Sequence, residues 1–149
     1  MILEGQHLQV HFDDVEPQVV QLADDGASEV EIRFLIGAAT TGTHDATLWR
    51  ARFAAGAGRP RHTHDAAEIF FVMSGRGAAG TVDKEYEVPA GSALYVPAGA
   101  THWLRNPGDE DLEILGLYLP GGSRDEAGFH YVGEVTDEFR QVDGVQQSR

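Results

Sequence analysis

The stretch from Gly56 to Gly75, taken with a second from Gly91 to Asn106, constrains this chain more than any other feature. The first runs Gly56, five residues, His62-x-His64, three residues, Glu68, six residues, Gly75. The second runs Gly91, five residues, Pro97-x-Gly99, two residues, His102, three residues, Asn106. Three imidazoles and one carboxylate in two short segments point first to a mononuclear metal site. Side chains alternate faces along an extended strand, so His62 and His64 point the same way. Glu68 shares their parity across a short turn, Asp65-Ala66-Ala67. The segment from Glu68 to Ser74 is rich in aromatic and β-branched residues and reads as a buried strand. His102 arrives on a separate strand, entered through the turn Val96-Pro97-Ala98-Gly99, where proline presets φ. Two neighbouring antiparallel strands can bring the four side chains to one point.

The two segments resemble both signature motifs of the cupin superfamily at every defining position. The short gap between them, Arg76 to Ala90, matches compact microbial members. The resemblance implies an all-β, single-domain jelly roll, a double-stranded β-barrel, with His62, His64, Glu68 and His102 as ligands of one divalent transition metal. Three neutral imidazoles and one carboxylate leave such an ion a net charge near +1, with open positions when it is octahedral. Zinc, iron, manganese, nickel, cobalt or copper all suit this set, because affinity order and supply both intervene. A tetrahedral zinc held by all four would be closed, so Glu68 is either a ligand or a catalytic base. The pattern through Gly128 to Val135 is similar in its overall run to cupin-type aromatic polyketide cyclases of bacterial secondary metabolism.

Length and charge narrow the remaining classes. A chain of 149 residues fits one domain. Its formal net charge is −13, with Lys84 the one lysine among 11 basic residues, which argues against nucleic acid and anionic membranes. With no cysteine there is no disulfide, thiol catalysis or thiolate ligand, so a metal must rest on imidazole and carboxylate. The start, from Met1 to Val10, lacks a basic region and a continuous apolar run, and no stretch approaches the ~18 apolar residues of a membrane span. A cytoplasmic location is expected.

The chain divides into an N-terminal arm (1–28), a β-barrel (29–136) and a flexible tail (137–149). In the arm, 7–12 and 19–22 read as short strands before an Ala23–Gly26 turn, with His7 and His11 on the surface. Alternation predicts half-buried strands over 30–36 and 47–53, with Thr47, Trp49, Ala51 and Phe53 on one face. A hairpin is expected from 78–82 and 86–88 around Asp83-Lys84-Glu85. A long apolar strand should cover 112–119, and 123–129 a flap of at most one helical turn over the barrel mouth. His130 to Val132 reads as a final strand.

Phe70 and Val72 share the parity of Glu68 and should face the interior. Tyr95, Trp103, Leu104, Trp49 and Phe53 lie on strands near the site, predicting a largely apolar cavity. His44 and His130 read as rim histidines outside the ligand set. Arg50 and Arg52 are the cationic candidates for anchoring an anionic substrate. The expected function is a metal-dependent enzyme on a small-to-medium apolar substrate, foremost a zinc-dependent polyketide cyclase with Glu68 as base. The alternatives are an iron- or manganese-dependent dioxygenase of a phenol, flavonoid or diketone, and a non-catalytic small-ligand or metal-binding cupin. Apolar residues of the arm, Leu8, Val10, Phe12, Val19, Val20 and Leu22, predict a homodimer with the arm at the interface.

Overall fold

The computed structural model describes residues 8–20 and 29–144. His7, Leu22, the Ala23–Gly26 turn and the last five residues of the tail lie outside the described residues. The strands are β1 (Gln18–Val20), β2 (Val30–Ile36), β3 (Thr47–Phe53), β4 (Arg61–Thr63), β5 (Ala67–Ser74), β6 (Arg76–Thr81), β7 (Lys84–Pro89), β8 (Ala93–Val96), β9 (His102–Arg105), β10 (Leu112–Leu119) and β11 (His130–Gly133). One α-helical turn, α1 (Arg124–Ala127), sits between β10 and β11. Two antiparallel sheets result, a larger one in the order β1-β2-β3-β10-β5-β8 and a smaller one in the order β11-β4-β9-β6-β7. This is the expected jelly roll, built as two facing sheets. Among the described residues no helix is long and apolar enough to cross a membrane.

Period-two patterning places the core. On β3, Thr47, Trp49, Ala51 and Phe53 are buried, while Leu48, Arg50 and Arg52 are half-buried on the other face. On β10, Leu112, Ile114, Gly116 and Tyr118 are buried in the same alternation. Val30 and Ile32 of β2 and Phe70 and Val72 of β5 join this face; Ala57, Ala79, Val88 and Leu104 meet it from the smaller sheet and its loops. Fully burying a side chain such as Ile114 or Val72 stabilises by roughly 1.5–3 kcal/mol.

A glycine–tryptophan pair recurs in each sheet. Gly116 lies opposite Trp49, and Gly80 opposite Trp103. A Cβ on Gly116 would stand 2.1 Å from Trp49 Cζ2, and one on Gly80 would stand 1.9 Å from Trp103 Cε2. Each indole therefore lies flat across a strand that carries no side chain there. Trp49 faces inward. Trp103, between the inward-facing His102 and Leu104, faces outward and packs on Phe139 at 5.6 Å between ring centroids.

The expected hairpin forms with a shorter turn. Thr81 pairs with Lys84, so only Val82 and Asp83 connect the strands. Glu85 belongs to β7, where its carboxylate is sealed from solvent. It accepts from Trp103 Nε1 (3.0 Å) and from Arg105 through Nε (2.8 Å) and Nη2 (2.6 Å). The backbone N–H groups of Gln141 and Val142 also donate to it, both at 2.9 Å. These bonds, with Arg76 Nη2 donating to Asp143 O, hold the tail against the smaller sheet as far as Gly144. The described part of the segment expected to fray, from Asp137 to Gly144, is thus packed against the smaller sheet.

In the arm, β1 overlaps the strand expected over 19–22, whereas the described part of 7–12 forms no strand. Phe12–Asp14 form a 3₁₀ turn capped by His11, whose Nδ1 accepts from Asp13 N at 3.1 Å. Arg33 and Arg50 lie over the Phe12 ring at 4.0 and 4.6 Å, and β1 pairs with β2. The described part of the arm folds onto its own sheet.

Two outcomes follow for stability. Gly80→Ala should destabilise by about 1–3 kcal/mol through overpacking against Trp103, as read by urea denaturation. Burial alone would raise the Glu85 carboxyl, but Arg105, Trp103 and the two backbone donors outweigh it and hold it at about 2, below the ordinary 4.5. A depressed carboxylate stabilises fully above its unfolded value and loses that contribution as pH falls through its folded value. Glu85→Gln should therefore cost about 2–3 kcal/mol at pH 7, and the gap to the unmodified protein should shrink between pH 4.5 and 2.

Candidate metal centre

The register of the smaller sheet pairs His62 directly with His102, which puts both imidazoles on its inner face. Their ring centroids are 4.2 Å apart. His64 follows just beyond β4, two residues on and therefore on the same side. Glu68 comes from β5 of the larger sheet, opposite Tyr118 on one neighbour and Val96 on the other. The four side chains thus meet between the sheets, each only 3–6% exposed.

Backbone carbonyls fix the three imidazoles. His62 Nδ1 bonds Pro60 O at 2.7 Å, His102 Nδ1 bonds Ala100 O at 2.9 Å, and His64 Nδ1 bonds Gly128 O. A carbonyl only accepts, so each Nδ1 carries the hydrogen. In a neutral ring this leaves the Nε2 lone pair free to bind. Ligand atoms of His62, His64 and His102 all lie within 4.8 Å of one another, so the three could hold a metal ion. Burial first, and then the neighbouring His102, push His62 well below the usual histidine range; burial also lowers His64, although Glu68 opposes it. The uncharged imidazole is the form that ligates.

The carboxylate completes the set. Glu68 Oε1 is 3.0 Å from His102 Nε2, and Oε2 is 3.7 Å from His64 Nε2. With the His102 hydrogen on Nδ1, two lone-pair atoms face each other across 3.0 Å. A cation bound there would satisfy both. The donor set of imidazole nitrogens and a carboxylate suits a borderline transition metal, so the residues fit the ion that the motifs imply.

The walls are mostly apolar, with Trp49, Phe53, Phe70 and Leu104 among them, and the cavity is small, about 40 Å³. Tyr118 lies against His64 at 4.9 Å and Phe129 stacks on His62 at 4.8 Å. Phe129 belongs to the predicted flap, which forms one helical turn capped by Ser123. Asp65 and Ala66 donate their N–H groups to Ala127 O, at 2.8 and 3.0 Å. His44 pairs with Glu126 at 2.8 Å and His130 with Asp65 at 3.0 Å, both on the surface. These two histidines fasten the flap and stay out of the centre.

Several sequence-based expectations change here. Arg50 pairs with Glu113 at 2.6 Å, and Arg52 with Glu31 at 3.1 Å and Asp111 at 3.4 Å. Their parity on β3 is opposite to that of the core residues, so neither reaches the cavity. Tyr95 is 65% exposed on the outer face, and Trp103 faces away from the site. The cavity instead contains Arg59, from the five-residue spacer before His62. A signal was available: from Ala46 to His64 there is no Asp or Glu, although the segment carries four arginines.

Comparison with known proteins agrees with this fold. Residues 49–118 match the family model described as a cupin domain. The auxin-binding protein 1 of Arabidopsis thaliana is 28% identical over 88 residues, covering 53% of this chain and 44% of that protein. This chain thus spans less than half the length of that relative. The oxalate-binding protein of Thermotoga maritima is 24% identical over 117 residues, covering 78% of this chain and 97% of that one. Among solved structures, the polyketide cyclase RemF from Streptomyces resistomycificus superposes with a TM-score of 0.70 at 22% identity, covering 88% of this chain and 89% of that one. At that identity the superposition speaks for the fold alone.

The flap carbonyl on His64 gives a test of the centre. Gly128 has φ +80°, and an added Cβ would stand 2.5 Å from Asp65 Oδ2. Gly128→Ala should shift the carbonyl that orients His64 and weaken metal binding about 10–100-fold in competition titration against a chromogenic chelator.

Proposed function

We propose that this chain, with a cupin domain over residues 49–118, is a metal-dependent enzyme acting on the carbonyl or enol oxygen of an organic substrate. His62, His64 and His102 would hold one divalent transition metal, with Glu68 as the fourth group. The observation that carries this is the three Nδ1 bonds to backbone carbonyls, which leave three Nε2 lone pairs converging beside a carboxylate. A set so oriented costs little reorganisation on binding an ion.

When bound, the metal supplies Lewis-acid polarisation of a substrate oxygen. Glu68 is the group placed to take a proton. In the cyclase form of the proposal, Glu68 accepts the proton from the carbon beside a carbonyl as that C–H bond breaks. A carbon–carbon bond then forms to a second carbonyl carbon of the same molecule, and the proton returns to the oxygen released there. Trp49, Phe53, Phe70 and Leu104 would hold the chain folded and keep water away, so that the two carbons meet. A polyketide cyclase shares this fold over 88% of this chain, so the fold is compatible with such a reaction. Zinc is the favoured ion for it, since no step changes a redox state. A cavity of about 40 Å³ has room for an ion and a water or two. A substrate of cyclase size must therefore displace the flap that carries Phe129.

Elemental analysis of the purified protein is the first test. About one transition-metal ion per chain is expected, and His102→Ala should lose most of it while keeping its far-ultraviolet circular dichroism. Full occupancy in His102→Ala would remove that residue from the ligand set. Glu68→Gln should retain much of the metal but lose most turnover, about 10²-fold or more, the usual scale for a lost acid–base group. Iron as the sole ion, with dioxygen uptake on a phenol or diketone, would replace the cyclase by a dioxygenase.

A further inference from the structure

Arg59 is a half-buried cation without a carboxylate partner among the described residues. Its Nη1 is sealed from solvent and has no hydrogen-bond partner among the described residues. Arg50, Arg52, Arg76 and Arg105 each meet a carboxylate within 3.4 Å. Among the described residues no such ion pair is found for Arg59, in a chain with 24 acidic residues against 11 basic ones. Glu68 is close enough to act on it electrostatically without pairing.

A second cation stands beside it. Arg124, the first residue of α1, places its guanidinium 4.8 Å from the centroid of Phe129, and Arg59 stands 5.3 Å from the same ring. Phe129 in turn stacks on His62. Among the described residues Arg124 also lacks a carboxylate partner. Burial, and then the charge of Arg124, lower Arg59 to about 10. Two guanidinium groups that repel one another around one ring, next to a desolvated cavity, cost stability unless an anion joins them.

We propose that Arg59 and Arg124 together bind the carboxylate of the substrate, which is a free oxo acid rather than an ester, amide or thioester. This rests on the metal-dependent reaction proposed above, since it places the carboxylate beside the oxygen to be polarised. A planar carboxylate matches the guanidinium fork, and two forks can share its two oxygens. A single negative charge suits the cavity better than a phosphate dianion, because Glu68 lines the same space. Arg124 rides on the flap, so the acid group that it grips would also draw the flap closed over the substrate. Closure and recognition then depend on the same two residues.

The test is calorimetric titration of pyruvate and of methyl pyruvate, a charged and a neutral oxo compound of nearly equal size, into the protein with and without bound metal. The acid should bind at least tenfold more tightly than the ester in both forms. Arg59→Met should erase that preference without lowering the melting temperature, because it removes an unpaired half-buried charge. Arg59→Lys should keep part of the preference, and Arg124→Gln should reduce it severalfold. Metal content should not change in any of the three variants. Equal binding of acid and ester, or a preference that survives Arg59→Met, would overturn the proposal. So would inorganic phosphate binding more tightly than pyruvate. An Arg59-dependent preference in a protein that takes up no metal would leave this subsite standing and refute the metal-dependent reaction instead.

Discussion

Three hydrogen bonds from imidazole Nδ1 to backbone oxygen set the character of this molecule. Two are local, from His62 to Pro60 and from His102 to Ala100, each reaching back two residues along the chain. The third, from His64 to Gly128, crosses from the end of β4 to the flap. Without them, each ring could rotate or carry its hydrogen on either nitrogen, and burial of three imidazoles beside a carboxylate would be a liability. With them, the hydrogens point outward to carbonyls and the lone pairs point inward to one place. The fold supplies the carbonyls through turns that begin or end a strand, so the tautomers are a property of the backbone.

The same centre joins parts that are otherwise separate. His62 and His102 belong to the smaller sheet and Glu68 to the larger one, while Gly128 and Phe129 belong to the connection between β10 and β11. Binding an ion would therefore tie two sheets and a flap together, and the gain would appear as folding stability. The glycine–tryptophan pairs show what the remaining structure yields to this arrangement. Gly116 gives up its side chain so that Trp49 can wall the cavity, and Gly80 does the same for Trp103 on the outside. On that outer face Glu85 closes a second buried charge system, already complete with Arg105 and the backbone of the tail. Arg59 is the contrast, a half-buried cation with no carboxylate partner among the described residues.

Much of the centre was legible in the sequence because ligand geometry imposes rules on spacing. His62 and His64 share a face through a period of two, and His102 enters from the neighbouring strand that Pro97 and Gly99 announce; the expected pair of neighbouring strands does not hold for Glu68, which meets them from the facing sheet. Alternation on β2 and β3 likewise identified the core face, whereas 112–119 read only as a long apolar strand. Other features left no such trace. Arg59 lies before Pro60, outside any strand, so parity says nothing about where its side chain points. Arg50 and Arg52 sit on a strand, and there parity was informative and pointed them outward. Asp83-Lys84-Glu85 reads as a turn by composition. A two-residue connection is enough, however, and Glu85 is drawn into the sheet by Trp103 and Arg105, which lie about 20 residues away in sequence. The packing of Phe139 and of Phe129 depends on contacts distant along the chain, which local patterns do not record.

The central claim is that the backbone presets His62, His64 and His102 to present Nε2 inward. Long-range ¹H–¹⁵N correlation spectra of the histidine rings test it most directly, recorded on metal-free protein near neutral pH and again after one equivalent of zinc. The account predicts that His62 and His64 carry their hydrogen on Nδ1 with a bare Nε2 before zinc is added. On addition, the Nε2 resonances of all three histidines should move together and saturate at one equivalent, while those of His44 and His130 stay in place. His62 or His64 protonated on Nε2 in the metal-free protein, or resonances of the three that do not respond to zinc, would contradict it.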